Sequence, residues 1–553
     1  MTARSSIRTS GGLDPITVEV LGSAFSSITD EMGEALVRAS HSTNIKERRD
    51  CSCALFDVDG NTLCQAAHTP IHLGSFIGIV PRILQRHKLD GLRPGDVFIG
   101  NDAYEGGGTH LPDIVLAEPI FFGDQLVGWA INTAHHSDFE DRGHAHIFQE
   151  GLRIPPVRLY RAGELQEDVR ELILLNCQVP EERLSDLMAQ MAANRLGVLR
   201  MQGLCRKYGV DKVIAAGRAL LDYAEQRMRA AFALIPDGSY QFSDWYDHPE
   251  MPEQIRLDVT IRVAGETMAL DFASPPQMRG PNNVTWTALV ATVWFAIKTV
   301  VDPTVPPNAG LGRPITINAG KGTVLHCQLP AAVDGRLGVC QRVVDIIYGA
   351  MAQALPGRIK AAGNGACGAA QFIGTRPSDG STWIYSESIG GGDGARASKD
   401  GMDGGHVYLT NTSNLPVEAL EREYPLTLLR YELVDGSGGA GQHRGGMGLR
   451  RVYRAESNCR IRFETTRQET APWGLEGGLE GARSTFSFSR PSAEPGISWM
   501  KPGDTAEIST PGGGGYGAPQ QRDRQQVETD VREARLSASA AAEIYGPKSP
   551  GAA

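Results

Sequence analysis

The sequence lacks the features that mark a membrane protein or a secreted, disulfide-linked one. Its longest apolar runs, such as residues 288–297, are too short to span a bilayer and are interrupted by polar residues. The first twelve residues are polar and contain no apolar segment of the signal-peptide type. Its nine cysteines are scattered and odd in number. Cys51 and Cys53 form one C-x-C pair, and no second pair follows at the spacing of a zinc ribbon. We therefore expect reduced thiols, no membrane association and a cytoplasmic location.

An excess of basic charge is also absent, and the two segments that imitate nucleotide-binding motifs are incomplete. The formal net charge of -10 argues against broad binding to nucleic acid or anionic membranes. Residues 320–323 resemble the end of a P-loop, but a glycine stands where Ser or Thr must follow the lysine. Residues 392–397 resemble a dinucleotide fingerprint, but 398–405 do not continue as a helix. A glycine-rich substrate loop is the better interpretation, with Asp393 or Arg396 as contacts.

Length and residue patterns predict an α+β protein, a multi-layer mixed fold. The 553 residues suffice for two to four domains. We expect a helix-rich N-terminal half that carries a metal, and a C-terminal half rich in strands and glycine. The predicted divisions are a disordered tail at 1–13, a metal-site domain at 14–237, a β-rich domain for substrate or partner at 238–519, and a helical tail at 520–553.

Periodicity gives the expected elements within these divisions. Residues 14–42 have apolar side chains at helical spacing, and 166–234 have the pattern of two or three helices. Residues 255–272 alternate as two antiparallel strands that turn at Gly265. Apolar helices are predicted at 284–301 and at about 340–355.

Two groups of histidine and carboxylate flank a predicted strand, residues 114–122. The first group contains His110 and Asp113, and the second is Ala134-His135-His136-Ser137-Asp138. Pro112 disfavours a helix through the first group, and a straight strand would point its two ligands to opposite faces. A bend is therefore needed, and the glycines at 106–108 supply the freedom for one. Two histidines and one carboxylate can hold a catalytic divalent metal, although hydrogen-bonded loop histidines are the alternative.

Two earlier segments add candidates for the same site. Asp50 abuts a predicted buried strand, residues 54–56, so it needs a partner, which a metal or an arginine would provide. His68 and His72 have a spacing that a helix would turn into a ligand pair, but Pro70 lies between them. We expect this pair to line a pocket near the metal rather than to bind it.

Glu150 and Arg153 follow the second histidine group, in a segment that ends in two prolines. They have two interpretations, either contacts to substrate or a structural ion pair, and the second is the commoner role for such residues.

Several long segments occur in the order in which they occur in one known family. They are Asn44-Ile45-Lys46-Glu47-Arg48 with Asp50-Cys51-Ser52, the segments 68–74, 107–113, 135–138 and 149–156, Asn414-Leu415-Pro416-Val417-Glu418, and 510–515. With these segments the chain resembles the hydantoinase B family from about Asp14 to Gly546. That family includes ATP-dependent N-methylhydantoinase subunits, the C-terminal half of 5-oxoprolinases, and alpha subunits of acetone and acetophenone carboxylases.

The resemblance implies a site for a divalent ion such as Zn, Mn or Fe. The implied ligands are His110, Asp113 and His135, with Asp50 as a further candidate. His136 or Asp138 would act as the general base. The candidate substrate contacts are His72, Glu150, Arg153, Asp393 and Arg396.

The resemblance also implies a partner and a reaction. The partner is a hydantoinase A-like subunit that binds ATP and phosphorylates the carbonyl or amide oxygen of a small-molecule substrate, within a large hetero-oligomer. The implied activity is hydrolysis of a cyclic amide: a hydantoin, 5-oxoproline or another lactam. The alternatives are the alpha subunit of an ATP-dependent ketone carboxylase and a non-catalytic assembly subunit.

One segment departs from the family pattern. After the second histidine group the family continues with Ile-Gly-Gly and a longer loop, whereas residues 139–146 stand here and are several residues shorter. The departure flanks the implied site, so we expect the ligands to be kept and the substrate pocket to differ. His144 and His146 are added candidate ligands, although solvated loop residues are the alternative.

Overall fold

Helices alternate with strands along the chain, and several separate sheets form, which confirms the α+β class. The computed structural model describes residues 13–66, 68–136, 143–365, 368–490 and 492–546. The chain divides into two units. The first contains residues 1–239, 261–272 and 276–336, and the second contains 240–260, 273–275 and 337–553.

The first unit contains most of the helices and one large sheet. Through residue 232 its helices are α1 (Pro15–Ala39), α2 (Thr43–Lys46), α3 (His72–Phe76), α4 (Ile79–His87), α5 (Glu167–Leu175), α6 (Pro180–Tyr208) and α7 (Val210–Phe232). Its strands there are β1 (Cys51–Phe56), β2 (Thr62–Gln65), β3 (Val97–Gly100), β4 (Asp113–Phe122), β5 (Gln125–His135), β6 (Val157–Arg161) and β7 (Glu164–Leu165). The three helices α5, α6 and α7 confirm the helical prediction for 166–234.

The ends of α1 show why this helix forms where it does. The Asp14 side chain accepts a hydrogen bond from the Thr17 amide at 2.9 Å, and Pro15 occupies the first helical position. Most of its apolar residues recur on one face and are buried, whereas Ile16 and Val20 are exposed. The helix ends at Ala39, three residues before the predicted end, because Ser40 is extended and Ser42 begins the next helix.

The large sheet has the strand order β2-β1-β5-β4-β3-β6-β7, and each pair of neighbouring strands is antiparallel. One apolar core contains residues of α1, α6, α7 and strand β1. A second core contains residues of α3 and α4 together with β3, β4 and β5. Helices therefore cover both faces of the central strands, which explains why β1 and β4 are buried almost throughout.

The chain then passes through β8 (Gly238–Tyr246), β9 (Ile255–Ala264), β10 (Thr267–Ala273), α8 (Trp286–Val301) and β11 (Ile315–Ala319). The turn between β9 and β10 contains Gly265 with a φ of 55°, as the alternation predicts. Strand β10 pairs in parallel with β11 from Met268 to Phe272.

The second unit contains two four-stranded antiparallel sheets. Its elements are α9 (Arg336–Ala354), β12 (Gly368–Thr375), β13 (Thr382–Ile389), α10 (Val417–Glu423), β14 (Leu426–Leu433), β15 (Leu449–Ala455), β16 (Cys459–Glu464), β17 (Thr485–Phe488), β18 (Ile497–Met500), β19 (Thr505–Ser509), α11 (Arg524–Arg532) and α12 (Ala538–Tyr545). The sheet orders are β13-β12-β16-β18 and β14-β15-β19-β17. Both sheets contribute to one apolar core, as in a β-sandwich.

Glycine-rich loops of the second unit pack backbone against backbone. A Cβ added to Gly392 would lie 2.0 Å from the Gly446 carbonyl oxygen, and one added to Gly513 would lie 2.0 Å from the Asp393 carbonyl oxygen. The Gly446 amide donates to the Asp393 carbonyl at 2.8 Å, and the Gly513 amide donates to the Gly446 carbonyl at 2.9 Å. The glycines at 392 and 513 therefore allow close approach of loops within this unit.

Candidate metal and catalytic site

The strand register of the first unit brings the two histidine groups together. Asp113 opens β4 and lies opposite His135, which closes β5. On the other side of β5, Cys51 of β1 lies opposite Ala134, and the His135 amide donates to the Asp50 carbonyl at 3.0 Å. Asp50, Asp113 and His135 therefore meet at one end of three neighbouring strands, as the predicted strands suggest.

A bend before β4 brings His110 back to Asp113. Gly108 has a φ of 111°, and an added Cβ would lie 2.9 Å from the Asp113 carbonyl oxygen and 3.0 Å from that of His110. The Asp113 amide donates to the His110 carbonyl at 3.3 Å, which closes the turn. As a result, His110 Nε2 lies 3.2 Å from Asp113 Oδ1.

The two carboxylate oxygens of Asp113 have different surroundings. Oδ2 accepts hydrogen bonds from Ser75 at 3.1 Å, from Thr109 at 3.2 Å and from Arg336 at 3.2 Å. Oδ1 is buried and has no hydrogen-bond partner among the described residues, and it faces His110 Nε2 and, at 3.6 Å, His72 Nε2. Oδ2 therefore fixes the fully buried carboxylate, and Oδ1 is directed toward the two histidines.

His110 is arranged in the same way. Its Nδ1 lies 3.0 Å from Asp334 Oδ1, whereas its Nε2 is buried without a hydrogen-bond partner in the part of the chain that the structure describes. The His110 ring lies 5.0 Å from the His135 ring, centroid to centroid.

Asp50 and His72 extend the cluster on its other side. Asp50 Oδ1 lies 3.5 Å from His72 Nε2, and Asp50 Oδ2 lies 3.9 Å from Arg48. Ser52 Oγ lies 3.0 Å from His72 Nδ1 and fixes the ring from behind. Both a histidine and an arginine therefore accompany the buried carboxylate of Asp50, which the sequence predicts to need a partner.

Asn44 holds the third predicted ligand, His135. Its amide nitrogen lies 2.7 Å from His135 Nδ1 and donates to the His135 carbonyl at 3.0 Å. Arg48 donates to the Asn44 side-chain oxygen, which fixes the amide orientation. The segment 44–50 is therefore a support for the cluster.

Buried charges shift the protonation of the cluster. Burial acts to raise the pKa of Asp113, but His110, His72 and Arg336 hold that pKa well below its usual range. Burial and Arg336 act to lower the pKa of His110, yet Asp113 and Asp334 raise it to about 9. Burial lowers the pKa of His135 to about 4. Asp113 is thus an anion and His135 a neutral imidazole at neutral pH.

The donor set fits a divalent cation. Imidazole nitrogens and carboxylate oxygens are ligands of Zn, Mn and Fe, and ligands about 2.1 Å from a tetrahedral ion lie about 3.4 Å apart. His110 Nε2 and Asp113 Oδ1, two of the implied ligand atoms, lie 3.2 Å apart, and His72 Nε2 lies 3.6 Å from Asp113 and 3.5 Å from Asp50. Among the described residues, however, no group of three His, Cys, Asp or Glu side chains forms a complete metal-binding geometry. The case for a metal therefore depends on His110 Nε2 and Asp113 Oδ1, which are buried close together, and on the chemistry of the donor atoms.

Of the two predicted general bases, the structure describes His136, and its side chain lies away from the cluster. His136 follows His135 in the chain and points to the other side, where its Nε2 lies 3.1 Å from Gln190 on α6. Burial lowers the pKa of His136 to about 3. These contacts suit a neutral histidine that anchors α6, and they do not support a catalytic role. Asp138 lies outside the described residues, as do 139–142 of the shortened loop.

Glu150 and Arg153 make structural contacts within the first unit. Glu150 is buried and accepts from the amides of Val333 at 2.9 Å and Asp334 at 2.8 Å. Arg153 pairs with Asp102 at 2.7 Å. Each side chain thus has a structural partner of its own, and a contact of either residue with substrate stays a prediction.

Asp393 and Arg396 belong to the second unit. The Asp393 carboxylate pairs with Lys360, and its side chain also accepts from the Gly394 amide at 3.0 Å. Arg396 lies 4.0 Å from Asp393 and its side chain is about half exposed. Their predicted contact with substrate stays a prediction.

The residues that sequence reasoning missed come from distant segments. Asp334 and Arg336 contact His110 and Asp113 across more than two hundred residues, and nothing near them in the sequence marks a site. Asn44 had a signal, since it lies in a segment that resembles the family. In the described ranges, no helix is both long and apolar enough to cross a bilayer.

Comparison with known sequences shows relatives along nearly the whole chain. The model of the family described as hydantoinase B/oxoprolinase matches residues 14–519. An uncharacterized protein of Methanocaldococcus jannaschii is 37% identical over 555 residues, 97% of this chain and 96% of that protein. A putative D-/L-hydantoinase subunit, of the B type, from a Pseudomonas species is 33% identical over 570 residues, 97% of this chain and 95% of that protein.

Comparison with solved structures shows the same fold twice. The crystal structure of an ATP-dependent caprolactamase from Pseudomonas jessenii has a TM-score of 0.90 and 28% identity, and the match covers 98% of both chains. A nucleotide-free acetone carboxylase structure has a TM-score of 0.88 over 96% of this chain and 79% of that one. Its identity of 18% limits this second likeness to the fold.

Proposed function

Because the chain belongs to the hydantoinase B/oxoprolinase family, we propose that it is the catalytic subunit of an ATP-dependent amidohydrolase that opens a cyclic amide. The observation that carries the proposal is the buried pair of His110 Nε2 and Asp113 Oδ1, which face each other without hydrogen-bond partners among the described residues. A carboxylate buried this close to an imidazole needs a positive charge beside it, and either a proton on the ring or a divalent ion bound to both groups supplies that charge. The resemblance found in the sequence motifs is confirmed, and it supplies the reaction class.

The residues that would hold a divalent ion are His110, Asp113 and His135, with Asp50 as a further candidate. An ion bound there supplies Lewis acidity, which polarises a carbonyl group and acidifies water. Ser75, Thr109 and Arg336 fix the carboxylate of Asp113 before any ligand arrives. This arrangement avoids reorganisation during the reaction.

His72 and Asp50 are placed to handle the proton that hydrolysis releases. His72 Nε2 lies between Asp50 Oδ1 and Asp113 Oδ1, at 3.5 Å and 3.6 Å. Since Ser52 holds His72 Nδ1 at 3.0 Å, the ring keeps Nε2 directed at the two carboxylates. We assign the proton acceptor to His72 Nε2, in place of His136, which contacts Gln190.

The proposal includes a partner that uses ATP. The caprolactamase that shares this fold is named ATP-dependent, and the relative at 33% identity is named as one subunit of a hydantoinase. The nucleotide-like segments of this sequence are incomplete. We propose a hydantoinase A-like subunit that phosphorylates the carbonyl or amide oxygen of the substrate, so that a poor leaving oxygen becomes a good one.

The test combines co-purification with turnover. The chain is co-expressed with a hydantoinase A-like partner, and the complex is incubated with hydantoin, 5-oxoproline, caprolactam or acetone, with and without ATP and bicarbonate. We expect ATP-dependent ring opening of one of the cyclic amides, no dependence on bicarbonate, and loss of activity in His110→Ala. His41→Ala, an exposed histidine of the same unit, is the matched control and keeps activity.

Two results would overturn the proposal. Loss of acetone that requires bicarbonate would assign the chain to the ketone carboxylases, whose fold it shares. Full activity of the His110→Ala complex, together with an absence of bound metal in elemental analysis, would assign it a non-catalytic assembly role.

A further inference from the structure

Asp334 lies beside the candidate metal site although no sequence pattern marks it. Its carboxylate is largely buried, and Oδ1 lies 3.0 Å from His110 Nδ1. An ionised carboxylate accepts hydrogen bonds and donates none, so the proton of this hydrogen bond belongs to His110 Nδ1. Whenever the ring carries a single proton, its lone pair is therefore on Nε2, the atom 3.2 Å from Asp113 Oδ1.

A second buried carboxylate holds Asp334 in place. Glu150 Oε1 accepts the amides of Val333 at 2.9 Å and Asp334 at 2.8 Å. Arg336 donates to the Asp334 carbonyl at 3.2 Å, while its other nitrogens bind Thr109 and Asp113. The backbone of Asp334 is thus tied on both sides, and Arg336 links the Asp334 carbonyl to the Asp113 carboxylate.

We propose that Asp334 is a positioning residue that fixes the His110 ring with Nε2 directed at the metal, and that Glu150 acts through Asp334. The inference depends on the proposed function for the presence of a metal at His110. A carboxylate behind a ligating histidine fixes the tautomer and raises the basicity of the ligand, and its loss typically weakens metal binding 10–100-fold. Glu150 then has a role other than the predicted contact with substrate.

The experiment measures metal affinity of the full chain. Zn(II) affinity is determined by competition with a chromophoric chelator, and the visible spectrum of the Co(II) form reports ligand geometry. We expect Asp334→Ala to weaken Zn(II) binding about 10–100-fold and to alter the Co(II) spectrum. Asp334→Asn keeps an oxygen that accepts from His110, so we expect a smaller loss.

The matched control is Asp96→Asn. Asp96 is a fully buried aspartate of the same unit that pairs with Arg158 at 3.1 Å and accepts from the Ala162 amide at 2.9 Å. We expect this variant to keep the wild-type affinity and spectrum. A general loss of packing would weaken metal binding in the Asp96 and Asp334 variants alike. Loss of a positioning contact would weaken it in the Asp334 variants alone.

The outcomes distinguish this inference from the proposed function. If the wild-type chain binds neither Zn(II) nor Co(II), the metal site itself is wrong. If the wild type binds and both Asp334 variants bind equally well with an unchanged Co(II) spectrum, the role of Asp334 is wrong. If Asp334→Ala does not fold, Asp334→Asn decides, since an unchanged affinity and spectrum overturn the inference and a reduced affinity supports it.

Discussion

At His110, the two neighbouring carboxylates outweigh the effect of burial. Burial and the nearby Arg336 oppose a positive charge on the ring, yet Asp113 and Asp334 raise its pKa to about 9. In the metal-free protein, the positive charge of the imidazolium therefore balances the neighbouring carboxylates. A divalent cation would balance them in the metal-bound protein. The surroundings favour positive charge at this point, whether it is a proton or a metal ion.

The pH dependence of stability should reveal this charge. The folded-state pKa of about 9 lies above the ordinary 6.5, so the folded protein keeps a proton that the unfolded chain loses first. The stabilisation is complete below about pH 6.5 and is lost as pH rises through about 9. We expect the free energy of unfolding of the metal-free chain to fall by about 3 kcal/mol over that window, measured by urea denaturation.

His110→Gln is the matched variant for this measurement, because it keeps a polar side chain without a titrating group. The free energy of unfolding of this variant should stay constant over the alkaline pH range in which that of the wild type declines. An equally steep decline in the variant would show that other groups cause it. The metal-loaded wild type should also lack the decline, since the ion replaces the proton.

At the scale of elements, the strands of the β4–β5 hairpin could be predicted from the sequence. The alternation of apolar runs and polar clusters predicted the strand at 114–122, and the structure has it at Asp113–Phe122. Antiparallel pairing then places the start of one strand beside the end of the other. The division between α3 and α4 is a finer detail, which depends on Gly78 with a φ of 93°.

The bend before β4 gives a prediction about Gly108. Alanine there would require a φ of 111° and would place its Cβ 2.9 Å from the Asp113 carbonyl oxygen. We expect Gly108→Ala to lower the free energy of unfolding by about 1–3 kcal/mol and to weaken Zn(II) binding, because the bend carries His110. Both quantities are measured on the full chain.

Gly91→Ala is the control for this prediction. Gly91 has no atom within 4 Å of an added Cβ, and its φ lies outside the left-handed region. The control should leave stability and Zn(II) affinity nearly unchanged. A Gly108→Ala protein with wild-type affinity would mean that the backbone bend is not needed to position His110.

At the scale of the whole molecule, the sequence predicted the family and the local donors but not the supports that come from far along the chain. His110, Asp113 and His135 lie in short polar clusters that flank strands, so spacing and strand geometry indicate them. Asp334 and Arg336 reach the cluster only through the fold, and no spacing rule connects residues more than two hundred positions apart. In the same way, the sequence pattern of residues 392–397 indicates a substrate loop but does not show that Gly392 packs closely against the backbone of Gly446.

Metal should stabilise the protein in proportion to its affinity. A ligand that binds only the folded state at 100 times its dissociation constant adds about 2.7 kcal/mol to the free energy of unfolding. We expect Zn(II) or Mn(II) to raise the melting temperature of the chelator-treated chain, measured by calorimetry, and His110→Ala to abolish the rise. An equal rise in His110→Ala would place the stabilising ion elsewhere.

The first unit is not continuous in sequence: it includes residues 276–336 as well as 1–239. During synthesis, His110 and Asp113 leave the ribosome more than two hundred residues before Asp334 and Arg336 do. Until then Asp113 lacks the guanidinium of Arg336 and His110 lacks the carboxylate of Asp334, so a nascent chain that buried the two residues would bury them without these partners. A protein fragment that ends near residue 237 would lack Asp334 and Arg336 altogether. Fragments meant to carry the site should therefore extend beyond Arg336.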